Sequence, residues 1–191
     1  MATSRVGHRR RSALCRSGDQ TGVDCETGVH MKIYLAGPLG FSEAGRDFHY
    51  RVLIPELERA GHEVLDPWTL TDPGMVEAVL NLPFGLERRA AWRGLNPEIG
   101  RNNHAALDRC EAVVAVLDGV DVDSGTAAEI GYAFAKGKPI VGYRSDIRLS
   151  ADNEALMVNL QVEYFIRASG GDIVSTLARL PVALSAIFPP H

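Results

Sequence analysis

Two short stretches of the chain, Lys32 to Ala36 (KIYLA) and Val113 to Leu117 (VVAVL), are apolar at nearly every position, and each stops at turn residues. Gly37-Pro38-Leu39-Gly40 follows the first and Asp118-Gly119 the second. Continuous apolar runs of this length predict strands buried on both faces, as in a parallel sheet. His62 to Leu65, ended by Asp66-Pro67-Trp68, predicts a further strand, and so does the segment from Ile140 and Val141 to Tyr143. Between these runs the period changes from continuous to helical. Ser42 to Ala60 predicts a helix with Ser42 as its N-cap and Gly61 closing it, and Thr126 to Lys136 a second one stopped by Gly137. Pro97 to Arg109 predicts a helix leading into the strand at Val113, and Glu154 to Ala168 another that stops at Gly170-Gly171. Asp172 then caps a last helix, which Pro181 should kink.

Two regions break the alternation. From Thr69 to Gly94, Pro73, Gly74, Pro83 and Gly85 interrupt short apolar pieces, which predicts a lid or covering loop with broken helices. Residues 1–30 are rich in Arg, Ser, Thr and Gly, with Arg9, Arg10 and Arg11 in a row and no apolar period. They predict a disordered extension, with Met31 the working start and residues 31–191 a single domain.

Strands alternating with helices predict an α/β fold, because parallel crossovers are right-handed and covered by helices. The strand count favours a flavodoxin-like doubly wound sheet of four or five strands in the order 2-1-3-4-5, with helices on both faces. That order sets the loops after the first and third strands against each other. Tyr34 to Gly40 then faces Asp118 to Glu129, with a small-molecule pocket between them.

Composition narrows the ligand. The chain has 191 residues, 46% hydrophobic and 23% charged, and a net charge of −4. This leaves no basic footprint for a nucleic-acid polymer. No apolar run approaches the roughly 18 residues of a membrane span. The three cysteines, Cys15, Cys25 and Cys110, lack metal-type spacing and read as reduced thiols of a cytoplasmic protein.

Several residues are candidates for chemistry. Glu129 falls in the first turn of the helix predicted from Thr126, where amides and dipole favour an ionised carboxylate able to attack an electrophilic carbon. Thr126-Ala127-Ala128-Glu129 also fits a capping box, and spacing alone favours that structural role. Asp118, Asp121 and Asp123, beside Ser124 and Gly125, serve as turn formers, as metal ligands or as partners for a ligand's hydroxyls; they lack the set of an EF-hand loop. Gly37 lets the backbone approach a ligand closely. Trp68, at a strand's carboxyl end, is placed to stack on a ligand's ring, whereas Tyr132 and Phe134 fit the core of a helix. Arg144, Asp146 and Arg148 either close over the site or form a solvated link.

The segments LDGVDVDSGTAAEIGYAFAKGKPIVGYRSDIR, KIYLAGPL and NLQVEYFI resemble the nucleoside 2-deoxyribosyltransferase family from about Met31 to Gly171. The pattern D-x-G-T-x-x-E-x-G-Y-A falls on Asp123 to Ala133. The resemblance implies Glu129 as nucleophile, Tyr34 holding it by its hydroxyl, and Asp123 binding the sugar 5'-hydroxyl. It also implies Asn159 donated into a neighbouring subunit's site, hence a homo-oligomer. Where the family has an aspartate near the nucleobase this chain has Asn103. An amide hydrogen-bonds a base but carries no transferable proton, and His104 beside it is a possible substitute.

The implied activity is transfer of 2-deoxyribose between free nucleobases, starting from 2'-deoxynucleosides, through a covalent glutamate intermediate with no metal or organic cofactor. A 2'-deoxynucleoside 5'-monophosphate N-glycosidase is the nearest alternative. Members of that branch hold a serine where Asp123 stands, although Ser124 is adjacent. A non-catalytic nucleoside-binding module is the alternative of another class.

Overall fold

The computed structural model describes residues 30–149 and 151–188, so the extension expected over residues 1–30 lies almost wholly outside the described residues. Five parallel strands, β1 (Lys32–Ala36), β2 (Glu63–Leu65), β3 (Ala112–Val116), β4 (Ile140–Tyr143) and β5 (Ile173–Val174), form one sheet in the order 2-1-3-4-5. β1 lies between β2 and β3, with Tyr34 in register with Leu65 on one side and Val113 on the other. Side chains alternate across the sheet with period two. Tyr34, Ala36, Val113, Ala115 and Leu117 pack on one face, and Ile33, Leu35, Val114 and Val116 on the other. Both faces are covered, which is why the strands read as continuous apolar runs.

The first helical segment bears out the Ser42 N-cap, whose hydroxyl accepts from the Gly45 amide. It is not regular, however. α1 (Glu43–Phe48) and α2 (Ile54–Arg59) are joined by a π-helical turn, His49–Leu53, in which the Ile54 amide reaches back to the His49 carbonyl. Pro55 supplies the reason, because it has no N–H to donate and its ring crowds the preceding turn. The widened turn sets His49 in the interior, 3.0 Å from Asp66.

The region after β2 differs most from expectation. α3 (Pro73–Leu80) is capped by Asp72, and α4 runs from Leu86 to Arg109 with Pro97 inside it. The expected start at Pro97 is therefore wrong by eleven residues, since the helix begins at Leu86. A proline inside a helix forfeits one hydrogen bond and crowds the preceding turn, and α4 nevertheless runs through it. The Asn102 side-chain amide donates to the Leu70 carbonyl and the Thr71 hydroxyl, tying the segment after β2 to α4.

α5 (Ser124–Ala135) begins two residues before Thr126, with Asp123 as its N-cap. It ends at Gly137, whose φ of +69° is the left-handed conformation that a glycine adopts without strain. α6 (Leu160–Ala168) starts at Asn159, which accepts from the Gln161 and Val162 amides, so residues 154–159 are not helical as expected. Instead of capping a helix, Asp172 precedes β5 and accepts from the Ile173 amide. Pro181 stands in the first turn of α7 (Leu180–Ile187), where its missing N–H costs nothing, and it starts that helix rather than kinking it. No helix among the described residues is long and apolar enough to cross a membrane.

Gly40 packs directly against Trp68: a Cβ at this position would lie 2.1 Å from the indole ring. We expect Gly40→Ala to displace Trp68, lowering stability by about 1–3 kcal/mol as overpacking does and weakening the near-ultraviolet circular dichroism of the tryptophans. Unaltered spectra and melting temperature would show that this contact does not hold the indole.

Candidate active site

A cavity of about 410 Å³ opens at the carboxyl ends of β1 and β3, in the crevice where open α/β sheets hold ligands. Its walls combine Gly37 after β1, Phe41, Pro67 and Trp68 after β2, Thr71 and Val76, and the α4 residues Trp92, Ile99 and Asn103. Asp123, Gly125, Thr126 and Glu129 contribute the acidic side. Trp92, Ile99 and Asn103 lie at spacings of seven and four and form one stripe of α4. That stripe was the signal for the covering wall, and it is hidden once Pro97 is taken as a helix boundary.

Glu129 sits here with its carboxylate accepting a 2.5 Å hydrogen bond from the Tyr34 hydroxyl. The two residues are 95 apart in sequence and meet because β1 and β3 are neighbours and α5 packs over both. The capping box does not form. Asp123 Oδ2 instead accepts from both the amide and the hydroxyl of Thr126, and Glu129 is the sixth residue of α5. That is beyond the four free amides of the helix end, so the dipole supports its charge less than a first-turn position would.

Burial raises the Glu129 pKa above the ordinary carboxylate value; the Tyr34 hydrogen bond pulls it back and the nearby Asp123 charge pushes it up again. Tyr34 is itself held far above its usual value, by burial first and then by Glu129, so it stays protonated and donates. The pair is a part-buried carboxylate with a fixed hydroxyl donor.

The remaining candidates separate by place. Trp68 and Asn103 line the cavity, and each carries a buried polar atom without a partner, Nε1 and Oδ1 respectively. Trp68 also meets Phe41 edge-on at 4.7 Å, and its backbone amide donates to Asp66. His104 faces elsewhere, with its Nε2 2.8 Å from the Tyr132 hydroxyl, which also donates to Asp108. Ser124 is the first residue of α5, and Asn159 caps α6; neither is among the residues bounding the cavity.

Asp118 accepts from the Ser145 amide and hydroxyl and from the Asp146 amide, which is a loop-forming role. No group of three or more His, Cys, Asp or Glu among the described residues could hold a metal. Arg144 is buried and donates to the Leu117 and Arg148 carbonyls, while Asp146 and Arg148 pair with each other at the surface. Tyr132 and Phe134 pack against the core, as their spacing predicts.

The sequence model of the family described as nucleoside 2-deoxyribosyltransferase matches residues 33–161. The chain belongs to that family. Solved structures with the same fold include a conserved protein from Enterococcus faecalis V583, with a TM-score of 0.59 and 23% identity over 82% of this chain and 98% of that one. The 2-deoxyribosyltransferase of the psychrotolerant Bacillus psychrosaccharolyticus aligns with a TM-score of 0.55 and 22% identity, over 78% of this chain and 90% of its own. The 2-deoxyribosyltransferase of Leishmania mexicana aligns at 0.52 and 24%, over 81% and 94%. A Schizosaccharomyces pombe protein, C191.05c, is 35% identical over 69 residues, 34% of this chain. The match spans a third of that relative's length.

Removing the Tyr34 hydroxyl takes away the one interaction that lowers the Glu129 pKa and leaves the burial that raises it. In Tyr34→Phe the carboxyl is expected to titrate at higher pH than in the parent. Carbon-13 NMR of labelled glutamate carboxyls would follow this, and an unmoved or lowered titration would contradict the assignment.

Proposed function

We propose that the protein transfers 2-deoxyribose from a 2'-deoxynucleoside to a free nucleobase through a covalent deoxyribosyl-Glu129 intermediate. The observation that carries this reading is the part-buried Glu129 carboxylate, held by Tyr34 on the wall of a nucleoside-sized cavity. A Glu129 oxygen attacks C1' as the C1'–N bond breaks, and the bonding pair leaves with the base through an oxocarbenium-like transition state. A second base then attacks C1' from the same face and frees Glu129. Both displacements run on the carboxylate alone and call for neither a metal nor an organic cofactor. Water in place of the second base gives hydrolysis, so the cover formed by α3 and the first half of α4 sets the balance between the two outcomes.

Asp123 supports a nucleoside over a nucleotide. One carboxylate oxygen is engaged at the cap of α5, and the carboxylate occupies the helix end that a phosphate would need. No lysine or arginine is among the residues bounding the cavity to offset two negative groups. Its other oxygen is left to accept the sugar 5'-hydroxyl.

Asn159 uses its side-chain oxygen to cap α6 and lies apart from the cavity of its own chain, which leaves its amide donors for a neighbour's sugar. We therefore propose a homo-oligomer with sites completed across the interface.

Incubation with 2'-deoxyinosine and uracil is expected to yield 2'-deoxyuridine by chromatography, and Glu129→Ala to yield none while melting as the parent does. Turnover preserved in Glu129→Ala removes the nucleophile assignment. Release of base from 2'-deoxyuridine monophosphate with no reaction of the nucleosides moves the activity to the nucleotide hydrolase. Mixing inactive Glu129→Ala with inactive Asn159→Ala is expected to restore part of the activity through hybrid sites; a mixture as inactive as its components argues against a shared site.

A further inference from the structure

Retaining glycosyl transfer leaves open how the departing base disposes of the electron pair it carries away. A general acid on the base side is the ordinary answer. Among the described residues bounding the cavity, the carboxyl groups are Asp123 and Glu129, and no histidine, lysine or cysteine joins them. Glu129 is the nucleophile bound by Tyr34, and Asp123 caps α5. His104, next to Asn103 in sequence, is turned to Tyr132 and Asp108. The base-facing wall, with Trp68, Trp92, Ile99 and Asn103, has no proton to give apart from those of neutral N–H groups.

That wall does offer one unmet donor and one unmet acceptor. Trp68 Nε1 and Asn103 Oδ1 are both shielded from water and lack any partner in the protein. Such groups are costly unless a ligand completes them. An indole N–H only donates, and it does so without charge. A lactam, as in uracil or hypoxanthine, presents a carbonyl acceptor beside a ring N–H donor, the two kinds of partner these atoms lack.

We propose that the base departs without protonation, as a lactam anion held by Trp68 and Asn103, so that the enzyme is selective for oxo bases over amino bases. This rests on the nucleoside reading of the Glu129 site. As the C1'–N bond breaks and the Glu129–C1' bond forms, the pair left on the ring nitrogen delocalises into the carbonyl oxygens. The Trp68 N–H hydrogen bond strengthens as that charge grows, which is the condition for stabilising the transition state over the ground state. After departure the anion takes its proton from water. In the reverse direction the incoming oxo base loses its acidic ring proton to water before attacking C1'. Adenine has no carbonyl to take the charge, and cytosine, with an amino group in place of one, is a poorer anion.

The test is steady-state base release by the parent enzyme, with thymine at a fixed concentration as acceptor, from 2'-deoxyuridine, 5-fluoro-2'-deoxyuridine, 2'-deoxyinosine, 2'-deoxyadenosine and 2'-deoxycytidine. The two lactam nucleosides should exceed the two amino nucleosides in kcat/KM by about tenfold or more, within the range a pocket contact can discriminate. The 5-fluoro substituent, which makes the base a better anion, should raise kcat. Trp68→Phe should lower kcat for the lactams by about 100-fold, the usual effect of deleting one such donor, with a smaller change in KM. Asn103→Asp, which restores a titratable group, should raise 2'-deoxyadenosine relative to 2'-deoxyinosine. Cleavage of 2'-deoxyadenosine at least as fast as 2'-deoxyinosine, or a kcat indifferent to fluorine, overturns the proposal while leaving Glu129 as nucleophile. Failure to cleave any of the five overturns the nucleoside reading together with it.

Discussion

The hydrogen bond from Tyr34 to Glu129 is the constraint on which the rest of the structure depends. It spans β1 and α5, and it forms only because the parallel register places Tyr34 beside Val113 and beneath the helix that follows β3. Its energetic setting matters as much as its geometry. Burial works against the Glu129 charge, and the tyrosine hydroxyl partly offsets that cost. The carboxylate is thereby partly desolvated, held in direction, and spared the backbone bonds that a capping box would have imposed.

Asp123 is what frees Glu129 from the helix end. By capping α5 three residues earlier than the Thr126 hydroxyl would have done, it accepts from the Thr126 amide and moves Glu129 into the second turn. The same carboxylate gives its side of the cavity a negative character. No lysine or arginine is among the bounding residues to offset it.

The base side depends on a different set of supports. Pro55 widens the first helical segment into a π turn, and that turn brings His49 against Asp66 in the interior. Asp66 in turn accepts from the Trp68 amide, and Gly40 leaves room for the indole. Asn102 ties the following segment to α4, so the stripe of Trp92, Ile99 and Asn103 faces the same cavity. Local exceptions to regular helix geometry thus shape this wall of the cavity.

The parallel sheet and its order were legible in the chain because buried strands show continuous apolar runs and the connections between them allow few topologies. The opposition of the loops after β1 and β3 followed from that order. Asn103 was visible as a departure from the family pattern, and Trp68 from its place at a strand end. Local spacing was a poor guide wherever long-range contacts outweighed propensity. The capping box around Glu129 was the better local reading, and it lost to a tyrosine 95 residues away. The start of α4 was hidden because a proline reads as a boundary, whereas the folded helix runs on through Pro97. The sequence by itself determined four of the five strands, how the sheet is ordered and which carboxylates lie near the site. Only the tertiary structure decided which of them is held by Tyr34, which one caps α5, and which polar groups are left without partners. Those outcomes depend on burial and on contacts between residues far apart in the chain, and no local pattern records either.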